Sequence, residues 1–251
     1  MKKWSIFNLF NKQKDLISGS TTKDNRKNYA FSLATHTGEN IIQIKQNREF
    51  FMSHFDNKFK FVSQYQVHSN KIVNLDNFLL DKKWNDLKLN ADGFVTSRAN
   101  IMLNILTADC VALLSYDANA KIIGAAHAGW KGTKENIAKN LIDSMVKLGA
   151  NIDNIIVAMS PSIRACCYEV DENVSKYFLD FEDGIVKTAK GKWHLDLSII
   201  NKEKLLNIGI KEKNIDIVPT CTSCNSDKYF SYRKQNNCSG RFISFIGRRE
   251  I

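Results

Sequence analysis

Short apolar runs separated by polar breaks dominate the chain. Residues 58–76, 93–97, 101–116, 121–127, 154–159, 215–219 and 242–247 are rich in Val, Ile, Phe and Leu, which predicts strands. Ile137, Leu141, Met145 and Leu148 recur at helical spacing, with Thr133 placed to cap the start and Gly149 to stop the helix. Further helices are predicted over 171–181 and 196–208, the last followed by Gly209. Strands mixed with helices predict an α/β or α+β protein. No repeat, low-complexity stretch or Pro/Gly/Ser-rich linker interrupts the 251 residues, so one continuous domain is expected.

Asp117-Ala-Asn-Ala120 is a turn-like break between two of these runs. A turn centred between Ala118 and Asn119 sets Cys110 directly opposite His127, with Cβ atoms about 4.5–5.5 Å apart on one face. A one-residue slip would put them on opposite faces. A thiolate and an imidazole so placed can share a zinc ion, with bonds of about 2.3 Å to sulfur and about 2.0–2.1 Å to nitrogen. His68, in Gln66-Val-His-Ser-Asn-Lys71, is the best third ligand among the remaining His36, His54 and His194, because it ends a strand-like run before a turn. Two His and one Cys leave a tetrahedral ion one open position, at which water or a substrate oxygen is polarised. The same adjacency also permits Cys110 as a nucleophile. Asp109 faces away in a regular strand, but becomes a candidate general base, or a partner of a ligating His, if the strand ends beside it. Ala128-Gly-Trp-Lys-Gly-Thr133 then runs from strand to helix. Backbone N–H groups at such a start favour an anion, Lys131 adds charge, and Trp130 offers a face to a planar substrate.

Composition narrows the partners. With 43% hydrophobic and 25% charged residues the chain is ordinary globular material, and no apolar run reaches the ~20 residues that span a bilayer. Trp4 to Phe10 after Lys2 and Lys3 mimics the start of a signal peptide, but Asn8 and Asn11 interrupt it and no small-residue cleavage site follows, so a cytoplasmic protein is expected. The net charge of +10 comes mostly from scattered Lys, alongside abundant Asn and Ile and only two Pro. That is the mark of an AT-rich coding sequence, and without a basic stripe no nucleic-acid role is expected. Six Cys without a signal peptide argue for reduced thiols or metal ligands rather than disulfides. Cys221-Thr-Ser-Cys224 and Cys238 suggest a second metal site or a redox pair. A structural zinc site commonly uses two close pairs, however, and Cys166-Cys167 lacks a partner motif, so reduced, partly buried thiols are the expectation. Arg233 in Phe230-Ser-Tyr-Arg233 and Arg241 offer contacts to an anion, although a solvated face is their commoner use.

Several motifs together resemble one family. Gln66-Val-His68, Ala91-Asp-Gly93, Thr107-Ala-Asp-Cys110, His127-Ala-Gly-Trp-Lys-Gly132, Cys167-Tyr-Glu169 and Phe230-Ser-Tyr-Arg233 with Ser239-Gly-Arg241 are similar to the successive motifs of the YfiH-like family. Its members have been called laccase-domain or polyphenol-oxidase proteins and, later, purine nucleoside enzymes. The resemblance runs from about Gly19 to the carboxyl terminus, leaving 1–18 as an amino-terminal extension and 19–251 as one catalytic domain. It implies a four-layer α/β/β/α fold with mixed sheets, and a zinc site formed by His68, Cys110 and His127, the set reached above from spacing. The Arg of the family's Asn-Arg motif, near the substrate, falls on Arg48. The early basic segment appears as Thr21-Thr-Lys-Asp-Asn25, keeping Lys23 but not the glycines. Ser32 stands where Asn is usual, and Ser160-Pro-Ser-Ile-Arg164 replaces Gly-Pro-x-Ile-Gly.

The resemblance further implies phosphorolysis of adenosine, inosine, guanosine and methylthioadenosine, and deamination of adenosine. Purine nucleosides and phosphate are then the partners. Phosphate charge would be offset by Arg48, Lys131 or Lys23, and Asp109 would shuttle the proton in deamination. The older family name implies a copper-dependent, laccase-like polyphenol oxidase instead. With five His in all, the His clusters of a multicopper centre are lacking.

Overall fold

The computed structural model describes Trp4, residues 6–236 and residues 240–250. In chain order the strands are β1 (Leu16–Ser20), β2 (Lys60–Gln64), β3 (Ile72–Asn74), β4 (Trp84–Leu87), β5 (Gly93–Thr96), β6 (Ile101–Thr107), β7 (Val111–Asp117), β8 (Ile122–Ala128), β9 (Ile155–Met159), β10 (Glu169–Val170), β11 (Ile185–Lys187), β12 (Trp193–Leu195), β13 (Ile215–Ile217) and β14 (Phe242–Arg248). The helices are α1 (Ile41–Met52), α2 (Trp130–Lys134), α3 (Ile137–Lys147), α4 (Glu172–Ser175) and α5 (Leu197–Asn207). One mixed sheet has the order β1-β14-β6-β2-β4, a second has β13-β9-β7-β8-β5-β3, and β10-β12-β11 form a small third.

Strands buried on both faces read as near-continuous apolar runs, and that is how β6, β7 and β8 appear. Between the two large sheets, Val62, Leu103 and Ile246 of one meet Phe94, Leu114, Tyr116 and Ile123 of the other. On the outer face of the five-stranded sheet, Phe61, Met102 and Phe245 pack with Phe51 of α1. On the outer face of the six-stranded sheet, Leu113 and Ala126 lie in one core with Leu141 and Met145 of α3 and Ile200 and Leu205 of α5. The result is the expected α/β/β/α layering. The stretch before Gly19 enters it as well, with Phe7 and Phe10 in the core between the sheets and Leu16 to Ser18 paired with β14.

Several elements differ from the sequence reading. The apolar runs 58–76 and 101–116 each break into two strands that lie in different sheets, β2 and β3 in one case, β6 and β7 in the other. The chain crosses between sheets at these breaks, with His68 at φ 61° and Asp109 at φ 92°. Thr133 does not cap α3; it lies inside α2, where its hydroxyl accepts from Asn201 Nδ2 at 2.9 Å, and Asn136 precedes α3 instead. The helix predicted over 171–181 shortens to α4, beyond which Tyr177 and Phe178 N–H donate three residues back, to Val174 O and Ser175 O, rather than four. The 196–208 prediction holds: Asp196 caps α5 by accepting from Ser198 and Ile199 N–H, and Gly209 follows at φ 101°. Helix α1 escaped notice because Ile41 and Ile42 are exposed, leaving no clean apolar stripe.

Candidate metal centre

Three successive crossings from the five-stranded to the six-stranded sheet build the site. His68 lies between β2 and β3, Asp92 between β4 and β5, and Asp109-Cys110 between β6 and β7. His127 reaches the same place from β8. Donor atoms of His68, Cys110 and His127 all lie within 4.8 Å of one another.

The hairpin register differs from the expected one. Ala112, not Cys110, pairs with His127, and Val111 pairs with Ala128. The turn is centred one residue later, because Lys121 takes φ 59° and Asp117 Oδ1 accepts from the N–H groups of Asn119 and Ala120. The shift moves the pairing by two residues, and side chains two apart share a face, so Cys110 and His127 still converge. Cys110 faces Gly129 instead. A Cβ on Gly129 would stand 3.2 Å from Cys110 Sγ and 3.1 Å from His68 Cδ2, so glycine leaves this space open.

Asp92, which the sequence reading assigned no role, organises the centre. It is fully buried, and its Oδ1 lies 2.8 Å from His127 Nδ1 and accepts from His68 N–H at 3.0 Å. Its Oδ2 accepts from Ser69 N–H and Oγ and from Val67 N–H. Burial pushes the Asp92 carboxyl up, but the His127 ring and the Ser69 donors outweigh it and hold the group below its ordinary value. An ionised carboxylate only accepts, so His127 donates from Nδ1 and turns Nε2 toward the cluster, the arrangement by which a carboxylate orients a metal-ligating imidazole. The same bonds hold His68 in its left-handed backbone conformation, an uncommon state for a residue with a side chain. Burial would raise the Cys110 thiol, yet His127 and His68 more than compensate and bring it to about 6. A thiolate is the form that binds metal.

Asp109 is held by two donors, Thr222 Oγ1 at 2.6 Å and Arg233 N–H at 2.7 Å. Strand β7 begins only at Val111, so the condition under which Asp109 faces the site is met. Two adjoining cavities open on the cluster. One, of about 260 Å³, is lined by Trp130, Tyr168, Asp109 and Arg233; the other, of about 270 Å³, by His36, Gln66, His127 and Arg241; His68, Cys110 and Tyr232 line both. Burial, with Arg241 and Arg48 adding to it, holds His36 below its ordinary value and therefore neutral near pH 7.

Of the other expected site residues, Trp130 lines a cavity, whereas Arg48, Lys23 and Lys131 line neither. Arg48 is buried on α1, donating to Leu33 O at 2.9 Å and Asp86 Oδ2 at 2.6 Å and lying over Trp84. Lys23 Nζ donates to Ser226 O at 2.6 Å. Lys131 Nζ lies 5.6 Å from the Trp130 ring centroid. Arg233 and Arg241, which the sequence offered as anion contacts with a solvated face as their commoner use, line the cavities. His36, Tyr168 and Thr222 were missed because no local spacing connects them to the hairpin. Among the described residues no helix is long and apolar enough to cross a membrane.

Known proteins are similar to this chain in sequence and in fold. The chain is 29% identical over 260 residues to purine nucleoside phosphorylase YlmD of Bacillus subtilis, covering 98% of this chain and 93% of that one. It is 36% identical over 163 residues to adenosine deaminase RL5 of an unknown prokaryotic organism, covering 63% and 62% of the two chains. The crystal structure of YlmD from Geobacillus stearothermophilus superposes with a TM-score of 0.83 at 28% identity, over 94% of this chain and 93% of that one. The YfiH protein of Bacillus licheniformis gives 0.83 at 27% identity over 93% of each. A profile described as multi-copper polyphenol oxidoreductase laccase matches residues 19–249, and with that span the chain belongs to this laccase-like, YfiH family.

Proposed function

We propose that the protein is a zinc-dependent purine nucleoside enzyme that phosphorolyses adenosine, inosine, guanosine and methylthioadenosine and deaminates adenosine. The observation that carries this reading is an open three-donor cluster between two adjoining cavities, one walled by Trp130 and Tyr168 and the other by Arg241. The names of the relatives, purine nucleoside phosphorylase and adenosine deaminase, support the substrate class.

His68, Cys110 and His127 fit a zinc ion: two imidazoles and a thiolate converge, Asp92 fixes one ring, and Gly129 keeps the space clear. When bound, zinc supplies Lewis acidity toward a water or substrate oxygen. Trp130 and Tyr168 offer apolar ring surface to a planar purine. The Arg241 guanidinium, with neutral His36 beside it, receives phosphate. In phosphorolysis, phosphate forms a bond to the ribose anomeric carbon as the bond to the purine nitrogen breaks, and a cation beside the phosphate offsets its charge. In deamination, water adds at C6 of adenine and ammonia leaves; Asp109 accepts the proton of the water and returns it to the departing nitrogen. The copper reading is set aside because, among the described residues, the other group of converging metal donors contains four Cys and no His.

The test is phosphate-dependent release of hypoxanthine from inosine, and of ammonia from adenosine, by metal-analysed protein beside Cys110→Ala. Activity that tracks zinc and disappears in the variant supports the proposal. Zinc present with neither nucleoside turned over removes the substrate assignment, and oxygen consumption by copper-loaded protein would put the oxidase in its place.

A further inference from the structure

The thiols of Cys166, Cys167, Cys221 and Cys224 converge about the far side of the cavity wall, although 57 residues separate Cys167 from Cys224. All four sulfurs lie within 4.8 Å of one another, with Cys224 Sγ at 3.6 Å from Cys166 Sγ and 3.3 Å from Cys167 Sγ. Four sulfurs around a tetrahedral zinc ion with bonds of about 2.3 Å stand about 3.8 Å apart. The cluster therefore approximates the spacing of a tetrathiolate shell before any ion is added. We propose that these four cysteines form a second, structural zinc site, distinct from the centre at His68, Cys110 and His127 and independent of the nucleoside reading.

The local architecture supports it. Cys166 and Cys167 lie in the turn after Arg164, whose side chain is held by Asp196 at 2.7 Å. Cys221 is buried and bridges Ser162 in parallel, with Ser162 N–H donating to Thr220 O and Thr222 N–H to Ser162 O. The next turn carries Cys224 and is closed by Asn225, whose N–H and Nδ2 both donate to Cys221 O. Two short segments are thus already docked, each presenting a pair of sulfurs, so little chain ordering remains to oppose binding. Four protein donors leave no open coordination position, which is the property of a structural rather than a catalytic zinc.

The site also explains why these two segments are tied together. Ile163 and Tyr168 flank the first cysteine pair and line the aromatic cavity, and Thr222, between the second pair, holds Asp109. A zinc ion across the two pairs would clamp that wall from outside.

Cobalt(II) substitution gives a test that does not depend on activity or on the stability of a cysteine variant in the cluster. Among the described residues Cys110 is the one sulfur at the other centre, so in cobalt-loaded Cys110→Ala a thiolate-to-cobalt charge-transfer band reports the four-cysteine site. The expected result is that this band persists in Cys110→Ala and is lost in the double variant Cys110→Ala with Cys221→Ser. As isolated, the protein should hold two equivalents of zinc per chain, with one retained in either single variant. Absence of the band in cobalt-loaded Cys110→Ala overturns the proposal. So does recovery of a disulfide among these four residues, by mass spectrometry of protein alkylated before denaturation under anaerobic conditions.

Discussion

The two sulfur-bearing clusters differ in donor set, in surroundings and in what each leaves open. At His68, Cys110 and His127 three donors of two kinds face adjoining cavities, and a buried carboxylate fixes one ring from behind. At Cys166, Cys167, Cys221 and Cys224 four donors of one kind face each other, and Cys166 and Cys224 lie exposed. Coordination number separates the roles: three protein ligands leave a position for substrate, four leave none. The positions in the fold agree with that division. The mixed cluster gathers where strands change sheets, at the end of the sandwich, while the all-thiol cluster ties two loops that back onto its wall.

The largest effect that would separate the two is Cys110→Ala. It should lower phosphorolysis and deamination by about 10³-fold or more, the scale of removing a central catalytic group, while circular dichroism and the four-cysteine metal remain. Loss of both metals together would show that the clusters are not separate units. Next comes Asp92→Asn, which keeps a carbonyl oxygen for the buried donors but removes the charge that orients His127. Metal affinity at the mixed centre, or activity, should fall about 10–100-fold, measured by competition with a chromophoric chelator. An unchanged affinity would remove Asp92 from the account.

Cys221→Ser should act more mildly and in another way: a lower melting temperature and a several-fold rise in KM for nucleoside, with kcat largely kept, because it loosens the wall that carries Tyr168. A fall in kcat equal to that of Cys110→Ala would contradict the division of roles. The smallest effect on chemistry belongs to Tyr116→Phe, remote from both clusters. Tyr116 donates to the buried Asp15 at 2.6 Å, and Lys121 pairs with the same carboxylate. Burial pushes Asp15 up, but these partners outweigh it and hold it below its ordinary value. A carboxyl depressed in the folded state adds stability that is present above its unfolded pKa of about 3.9 and is lost as pH falls through the lower folded value. Tyr116→Phe should therefore cost about 1.5–3 kcal/mol near neutral pH and flatten the acid limb of a urea-denaturation profile, with metal content and activity unchanged.

Much of this molecule was legible along the chain. The strands at 93–97, 121–127, 154–159 and 242–247 are present within one residue at each end, and α5 has its Asp196 cap and terminal Gly209 as the pattern indicated. The Cys110 and His127 convergence survived a wrong register because the error was an even number of residues. Boundaries inside the long apolar runs were not legible, since a strand that leaves one buried sheet and enters another stays apolar throughout. Which basic side chains line the cavities was not legible for a related reason. Arg48 and Lys23 carry the right charge, but their hydrogen-bond partners hold them away from the cavities, while Arg233 and Arg241 face them.

The sequence by itself determined most strands of the two large sheets, the helices α3 and α5, and that a Cys and a His share one face of a hairpin. These properties depend on neighbours a few residues away, or across one short turn. Only the tertiary structure decided that Asp92 joins the first cluster, that Arg241 rather than Arg48 faces it, and that Cys166 and Cys167 meet Cys221 and Cys224. Those meetings join segments far apart in the chain. They are set by which sheet each strand enters and by how two loops dock, and no spacing along the sequence records either.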